Sequence, residues 1–226
     1  FQGPIPVDLQ NMTSLSHLYL SENYFNHTIP NWLYSFSCLK FINLGSNNLQ
    51  GTISSAIGNL TSAISIDLSN NKLGGKVPRS LGNLCNLREI KLSSNNWNQE
   101  ISEILESLLG CVLYGLEVLE LSSANLFGHL TKNLGQFQNL ALLSLGFNSI
   151  SGPIPISVGN ITSLRFLDLF DNQINGTFPQ SFGQLSKLES IEIASNMMEG
   201  VVSEVHFANL MRLTTLAAYS NQQTFK

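Results

Sequence analysis

The sequence is poor in charged residues, and in basic residues above all. Asp, Glu, Lys and Arg make up 12% of its 226 residues, which is about half of the usual quarter. Lys and Arg number 11 and the net charge is −4, so the chain lacks the basic surface that displaces counterions from a nucleic acid. This argues against nucleic acid as a partner. The 43% hydrophobic content argues equally against a disordered chain.

Long apolar runs are also missing. No run approaches the roughly 18 residues that a membrane-spanning helix needs, and the chain begins FQGPIP with no basic and apolar leader segment. We expect no membrane segment in this sequence, and we expect that the leader of a secreted precursor has been removed.

Chemistry-bearing motifs are absent as well. The four histidines, His17, His27, His129 and His206, lie far apart without metal-ligand spacing. There is no G-x-S-x-G, P-loop or GxGxxG segment. A flat open surface of stacked carboxylates would be a poor active site, because it cannot exclude water. The sequence therefore predicts a protein that is not an enzyme and that uses no metal or cofactor.

What the sequence does contain is an internal repeat. The segment LRFLDLFDNQINGTFPQSFGQLSK aligns with itself along the chain in the pattern LxxLxLxxNxLxGxIPxxLGxL, with a step of 24 residues except for one repeat of 29 and a last one of 25. The repeats begin at Leu15, Leu39, Ala63, Leu87, Leu116, Leu140, Leu164, Leu188 and Leu213. We predict one domain over 1–226, with a partial repeat 1–14, eight full repeats over 15–212 (the long one being 87–115) and a partial repeat 213–226.

Each slot of the pattern has a physical interpretation. The xLxL segment predicts a short parallel strand whose leucines point inward and whose intervening residues point outward, with strands centred near residues 18, 42, 66, 90, 119, 143, 167, 191 and 216. One strand cannot bury its apolar side alone, so each repeat leans on its neighbours. The Asn slot, as at Asn47 and Asn172, predicts an inward side chain that satisfies backbone groups. Ala124 occupies this slot in one repeat, where we expect local loosening or a bridging water.

This period and slot pattern resembles the leucine-rich repeat in its plant-specific form, which the GxIP segment marks. The resemblance covers the whole chain and implies a right-handed α/β solenoid. Its parallel β-sheet would line the concave face, and short helical or 3-10 turns would form the convex face.

The long repeat carries an extra segment, ISEILESLLGCVLYG, at 101–115. Its apolar residues recur at helical spacing, which predicts an α-helix on the convex side with Gly110 near its C-terminal end. The alternatives are a helix packed on the solenoid and a bulge that binds a partner.

Three cysteines are present. Cys85 and Cys111 lie 26 residues apart in adjacent turns, and turns about 5 Å apart bring two Cα atoms within the disulfide limit of about 7 Å. A secreted chain would favour the bond, and the alternative is two buried thiols. Cys38 is left over, and we expect it to be a small buried hydrophobe.

Five N-x-[ST] sequons share two repeat slots, neither of them on the concave strands, so glycans there would leave the concave face open. They are Asn11, Asn26, Asn59, Asn160 and Asn175.

The outward slots of the strands predict a binding surface. Seven acids occupy them against one base, Lys91: Glu22, Asp67, Glu89, Glu120, Asp168, Asp171 and Glu192. Val118, Leu142 and Phe166 share one slot of successive strands, with Phe147 and Phe170 close by. Such an apolar patch, rimmed by Glu120, Asp168, Asp171 and Glu192, is typical of a protein interface and favours a basic protein or peptide ligand. The alternative is an apolar ladder that only stiffens the sheet.

The order of motifs is more specific than the repeat. GNLCNLREIKLSSNN, the long repeat, LSSANLFGHL and MEGVVSEVHFANLMRLTTL resemble plant receptor-like proteins, cell-surface immune receptors of the fungal-xylanase-receptor type. The resemblance implies a secreted, glycosylated ectodomain in defence signalling, on the extracellular side of the plasma membrane, that acts with co-receptor kinases. A soluble inhibitor of cell-wall-degrading enzymes and a receptor-kinase ectodomain remain alternatives.

The chain departs from that resemblance in what flanks the repeats. It begins and ends inside a repeat, with no cysteine-flanked cap, membrane helix or kinase in the sequence, and we therefore expect an internal fragment of a longer receptor. Solenoid ends without polar caps favour self-association or fraying. We expect this of the terminal apolar residues Leu9, Leu15, Leu213, Leu216 and Phe225.

Overall fold

Nine short strands form one parallel sheet along the repeat. The computed structural model describes residues 1–222, 224 and 225, with the side chains of Thr224 and Phe225 outside the described part. Within it each strand pairs with the strand one repeat later, so that the order in the sheet follows the order in the chain. The strands are β1 His17–Tyr19, β2 Phe41–Asn43, β3 Ser65–Asp67, β4 Glu89–Lys91, β5 Val118–Glu120, β6 Leu142–Ser144, β7 Phe166–Asp168, β8 Ser190–Glu192 and β9 Thr215–Ala217. Every predicted strand centre lies inside its strand, and the solenoid fold is confirmed.

The other faces are made of turns and shorter strands. The convex side carries 3-10 turns at Val7–Asn11, Asn31–Ser35, Ser55–Asn59, Arg79–Asn83, Cys111–Tyr114, Lys132–Gln136, Ile156–Asn160, Gln180–Gln184 and Glu204–His206. A lateral face carries parallel strands at Gln2–Gly3, Tyr24–Phe25, Gln50–Gly51, Lys72–Leu73, Phe127–His129, Ser149–Gly152, Gln173–Thr177, Met197–Glu199, Val201–Val202 and Thr224–Phe225.

The core is a stack of apolar side chains, one layer per repeat. The middle residue of each concave strand points inward and is buried from Leu18 to Ile191, as the alternation predicts. Burying one such side chain contributes about 1.5–3 kcal/mol. Leu216 of β9 holds the same slot but is 41% exposed, so the layer at that end of the sheet is incomplete.

A ladder of buried and half-buried asparagines ties the turns together. Asn47 donates from Nδ2 to the carbonyl oxygens of Leu20, Leu44 and Gly45 at 2.9, 3.1 and 3.2 Å, and its Oδ1 accepts from the amide of Phe25 at 3.1 Å. The predicted inward role of this slot is confirmed. The same pattern recurs at Asn71, Asn95, Asn148, Asn172 and Asn196.

The loosening expected at Ala124 is wrong. The side chain of Ala124 is fully buried, and the ladder continues through Trp97. The indole Nε1 donates to the carbonyl oxygen of Leu92 at 3.0 Å, the carbonyl that an asparagine at 124 would reach by the pattern of the other repeats. The amide of Trp97 donates to the carbonyl oxygen of Ala124 at 3.2 Å, in place of an Asn Oδ1. The indole and the backbone amide of Trp97 thus take over two hydrogen bonds of the missing asparagine, and the repeat stays closed without a bridging water.

The extra segment of the long repeat is a short α-helix, α1 Ile101–Ser107. The expected helix is confirmed, but it ends before Gly110, which precedes a separate 3-10 turn. A Cβ on Gly110 would overlap the carbonyl oxygen of Gly82, so this contact requires glycine. Leu105 and Leu108 are buried, which favours the packed helix over a partner-binding bulge.

The cysteines hold the long repeat to the one before it. Cys85 and Cys111 form a disulfide, with their Cα atoms 4.8 Å apart. The expectation for Cys38 is wrong, because its thiol is free and the residue is exposed. It follows a 3-10 turn at the point where the chain runs over the surface toward β2, and not in an inward slot.

Candidate functional site on the concave face

Two rows of outward side chains run across the concave sheet between β5 and β8. Val118, Leu142 and Phe166 lie directly opposite one another on β5, β6 and β7, as the 24-residue register predicts. The row beside them holds Glu120, Ser144, Asp168 and Glu192. An apolar row therefore lies next to a mostly acidic one, with strands about 4.8 Å apart.

Aromatic rings gather at the ends of these strands. Phe147 and Phe170 meet edge to face with centroids 4.9 Å apart, and Phe170 lies 6.4 Å from the ring of Tyr219. Ala194 occupies the same slot between Phe170 and Tyr219 and is too small to separate them. We call Phe147, Phe166, Phe170 and Tyr219 the aromatic patch. Tyr219 was missed from the sequence, although it holds the slot of Phe170 two strands later.

Phe166 is placed differently from the other rings. Its ring is 38% exposed, and the guanidinium of Arg165 lies 5.4 Å from its centroid. Arg165 is fixed in turn by two hydrogen bonds to the carboxylate of Glu189, at 2.9 and 3.1 Å. Among the described residues no ring contact joins Phe166 to Phe147 or Phe170. One face of Phe166 is therefore covered within the chain, while Phe147 and Tyr219 are more open, at 55% and 62% exposure.

Phe147 adds an observation from the backbone. It is 55% exposed and has a φ of 55°, in the left-handed region that bulky residues rarely adopt. The other repeats place Ser, Asn, Glu or Asp in this slot. A large apolar side chain held outward in an unfavourable backbone conformation is a feature that points to function.

The carboxylates beside the aromatic patch differ in how far partners within the chain already bind them. Asp168 accepts from Ser144 Oγ at 2.8 Å and from the amide of Phe170 at 3.0 Å, so it is fixed. Glu120 lies 3.6 Å from the Lys91 ammonium, which partly neutralises it. Asp171 is exposed at the edge.

Glu192 lies opposite Asp168 on β8. Burial raises the pKa of its carboxyl, Asp168 raises it further, and a backbone hydrogen bond from Ala194 opposes both. Its Oε1 is buried without a hydrogen-bond partner.

The sequons lie away from these strands. Asn11, Asn59 and Asn160 end convex 3-10 turns, Asn175 lies in a lateral strand, and Asn26 follows one. All five are exposed. Glycans at these positions would leave the concave face accessible.

No group of His, Cys, Asp and Glu that could hold a metal ion occurs among the described residues. In the same part of the chain, no helix has the length and hydropathy that crossing a bilayer needs.

The comparisons agree with this geometry. The Leucine Rich Repeat family pattern matches residues 14–36, 38–60, 62–84 and 163–185. This chain is a leucine-rich-repeat solenoid. None of the curated proteins matches it in sequence.

Solved structures extend the likeness over nearly the whole solenoid. The ectodomain of the Arabidopsis receptor kinase HAESA in complex with an N-terminally extended IDA peptide hormone is 31% identical to this chain. Its TM-score is 0.90, over 99% of this chain and 37% of that one. HAESA in complex with IDA and the co-receptor SERK1 is 28% identical, with a TM-score of 0.88 over 99% and 41%. The solenoid thus spans about two fifths of these chains.

A third similar structure shows that the fold alone does not decide the function. A plant ice-binding protein is 24% identical, with a TM-score of 0.79 over 98% of this chain and 69% of that one. Function has therefore to be argued from the side chains of the solenoid.

Proposed function

We propose that this solenoid is the ligand-recognition part of a plant cell-surface receptor, and that its concave face binds an extracellular peptide or protein. The observation that carries the proposal is the aromatic patch, exposed beside a row of carboxylates on a parallel sheet. Apolar centres with polar rims are the usual anatomy of a protein interface. The likeness to receptor ectodomains solved with a peptide hormone supports the same use.

The ligand-binding residues proposed from the sequence are Val118, Glu120, Leu142, Phe147, Phe166, Asp168, Phe170, Asp171 and Glu192, and we add Tyr219. The excess of carboxylates favours a basic ligand. Asp168 and Glu192 are fixed or partly buried and would contact the ligand directly. Asp171, at the exposed edge, would mainly steer its approach.

The finer assignment rests on the resemblance of the motif order. On this resemblance, we propose that the solenoid belongs to a defence receptor of the fungal-xylanase-receptor type. The receptor would be glycosylated, would lie on the extracellular side of the plasma membrane and would signal through co-receptor kinases. The likeness to HAESA favours the ectodomain of a receptor kinase as the second candidate. The residues that flank this segment in its parent protein separate the two.

The test is a titration of peptides selected from a random library on the wild-type solenoid. Phe166→Ala should weaken binding by about thirtyfold, or about 2 kcal/mol, because central aromatics dominate such interfaces. Asp171→Asn should act mainly on the association rate and its salt dependence.

Phe127→Ala is the matched control, because Phe127 has a similar exposure of 40% but lies on the lateral face. Circular dichroism confirms that each variant folds. If Phe166→Ala binds as tightly as the wild type, the patch is not the site.

A further inference from the structure

A second group of aromatic side chains lies at the opposite end of the concave sheet. His17 and Tyr19 are the first and last residues of β1, and Phe41 begins β2. The rings of His17 and Phe41 stack with centroids 4.8 Å apart, and His17 meets Tyr19 edge to face at 5.9 Å. Tyr19 is 62% exposed. The rings form a wall on the outer side of the sheet, away from the core.

This wall borders a depression of about 220 Å³ that continues across β3 and β4. Two carboxylates line it beside the rings, Asp67 and Glu89. The strand register places them: Asp67 is two strands from Tyr19 in one row, and Glu89 is two strands from Phe41 in the other.

Each carboxylate has one oxygen occupied and one available. Asp67 Oδ1 accepts from the amide and the hydroxyl of Ser69 at 2.9 and 2.6 Å, and Glu89 Oε2 accepts from Ser65 Oγ at 2.9 Å. Within the described residues, Asp67 Oδ2 and Glu89 Oε1 have no hydrogen-bond partner. The one cation that lines the depression, Lys91, lies opposite Asp67 in the strand register, but its ammonium is 3.6 Å from the carboxylate of Glu120. Among the described residues no salt bridge joins Asp67 or Glu89 to a base.

We propose that this depression holds the side chain of an arginine in the ligand. A guanidinium stacks on aromatic faces and donates paired hydrogen bonds to carboxylate oxygens. Aromatic rings and carboxylates both line this depression. A lysine ammonium would satisfy the charge but lacks the planar face and the fork. The proposal rests on the proposed function, since it assumes a ligand that lies along the concave face.

The spacing sets a length for that ligand. Phe41 on β2 and Phe166 on β7 are five strand steps apart, or about 24 Å. An extended peptide advances about 3.3 Å per residue, so the arginine and the apolar residue that covers the aromatic patch would be about seven residues apart.

The first experiment needs no known ligand. Nα-acetyl-arginine amide and its neutral isostere Nα-acetyl-citrulline amide are titrated into isotope-labelled solenoid, with amide shifts as the readout. We expect the arginine probe to shift the amides of Phe41, Ser65 and Glu89, with at least fivefold weaker binding of citrulline.

Asp67→Asn and Tyr19→Ala should each weaken the arginine probe by at least threefold, while Tyr19→Phe keeps the ring and the binding. Asp8→Asn, an exposed carboxylate in the convex 3-10 turn Val7–Asn11, is the matched control and should leave binding unchanged. Equal binding of citrulline, or equal losses with Asp8→Asn and Asp67→Asn, would overturn the proposal.

A random-peptide selection separates this proposal from the proposed function. Peptides that lose affinity with Phe166→Ala and carry an arginine about seven residues from an apolar residue support both. Peptides that depend on Phe166 but bind Glu89→Gln and Asp67→Asn as tightly as the wild type overturn the arginine site alone. If no peptide binds the concave face but the arginine probe still occupies the depression, the proposed function fails and the site stands.

Discussion

At the scale of the residue, Trp97 is the side chain on which the middle of the solenoid depends. It is buried, and its indole and amide replace the hydrogen bonds of an asparagine that Ala124 lacks. The two residues are one repeat apart and compensate for each other, since the large ring fills the space that a small residue at 124 leaves. Changes at the two positions should therefore not be additive.

Trp97→Leu should lower the free energy of unfolding by about 2–4 kcal/mol, because it removes a buried ring and the indole donor to Leu92. Ala124→Asn alone should also destabilise, by overpacking against Trp97. The double variant restores the pairing of Leu and Asn found in the other repeats and should regain about 1–2 kcal/mol relative to Trp97→Leu. Urea denaturation of the wild type, the two single variants and the double variant measures this double-mutant cycle. Additive losses would show that the two sites are independent.

Glu192 gives a prediction about pH. Burial and Asp168 raise the pKa of its carboxyl above the ordinary value of 4.5, so the folded state holds this proton more tightly than the unfolded chain. The charged form is then a cost to folding, one that is absent below the unfolded pKa and complete above the folded pKa. Glu192→Gln should raise the melting temperature at pH 7 by on the order of 1–2 °C.

The gain should vanish as the pH falls below about 4.5. Glu120→Gln is the matched control, since Glu120 lies in the same row but pairs with Lys91. A Glu192→Gln gain that persists unchanged at pH 4 would mean that the carboxyl carries no burial cost.

At the scale of the element, the long repeat is held in place by a helix packed on the core and by a disulfide. α1 packs Ile101, Ile104 and Leu105 into the core, and the disulfide joins the turn after it to the previous repeat. The centres of the concave strands could be predicted to the residue, because a fixed step and a two-residue alternation leave no freedom in the register, whereas the strands of the lateral face were not predicted. The end of α1 could not, because the contact of Gly110 with Gly82 joins two repeats.

Replacing Cys85 and Cys111 together by Ser should destabilise the solenoid by about 3 kcal/mol in the chain-entropy model for a loop of this size. Hydrogen exchange should rise first in α1 and the 3-10 turn Cys111–Tyr114. Cys38→Ser, at the exposed free cysteine, is the matched control and should change neither quantity. Equal stability of the double variant and the wild type would show that packing alone holds the long repeat.

At the scale of the whole molecule, the ends and the faces differ in character. The concave face collects carboxylates, the sequons lie on other faces, and apolar side chains such as Met12 and Leu216 are exposed toward the two ends. The periodic sequence was enough to predict the rows of the concave face and the position of five of its acids, whereas Glu22 and Asp171 lie in the turns after β1 and β7 and not in outward strand slots. It could not predict which groups cover each other, because Arg165 over Phe166 and Trp97 beneath Ala124 depend on side-chain packing between repeats.

The exposed end layers predict that the isolated solenoid self-associates as its concentration rises. Leu216→Lys should shift this association to higher concentration, because it charges an apolar end. Ile156→Lys is the control, since Ile156 is 79% exposed but lies on the convex side. Light scattering over a concentration series is the measurement, and a monomer at all concentrations would contradict the prediction.

The disulfide also has a mechanical meaning. A solenoid pulled from its two ends unravels repeat by repeat, since each strand is held only by its neighbours. The bond between Cys85 and Cys111 spans a sequence separation of 26 residues and withholds this length from the extending chain, which is about 90 Å of contour length at roughly 3.6 Å per residue. A force–extension trace of the oxidised protein would therefore fall short of the reduced one by that length. The segment closed by the disulfide would stay compact under load while the rest of the chain extends.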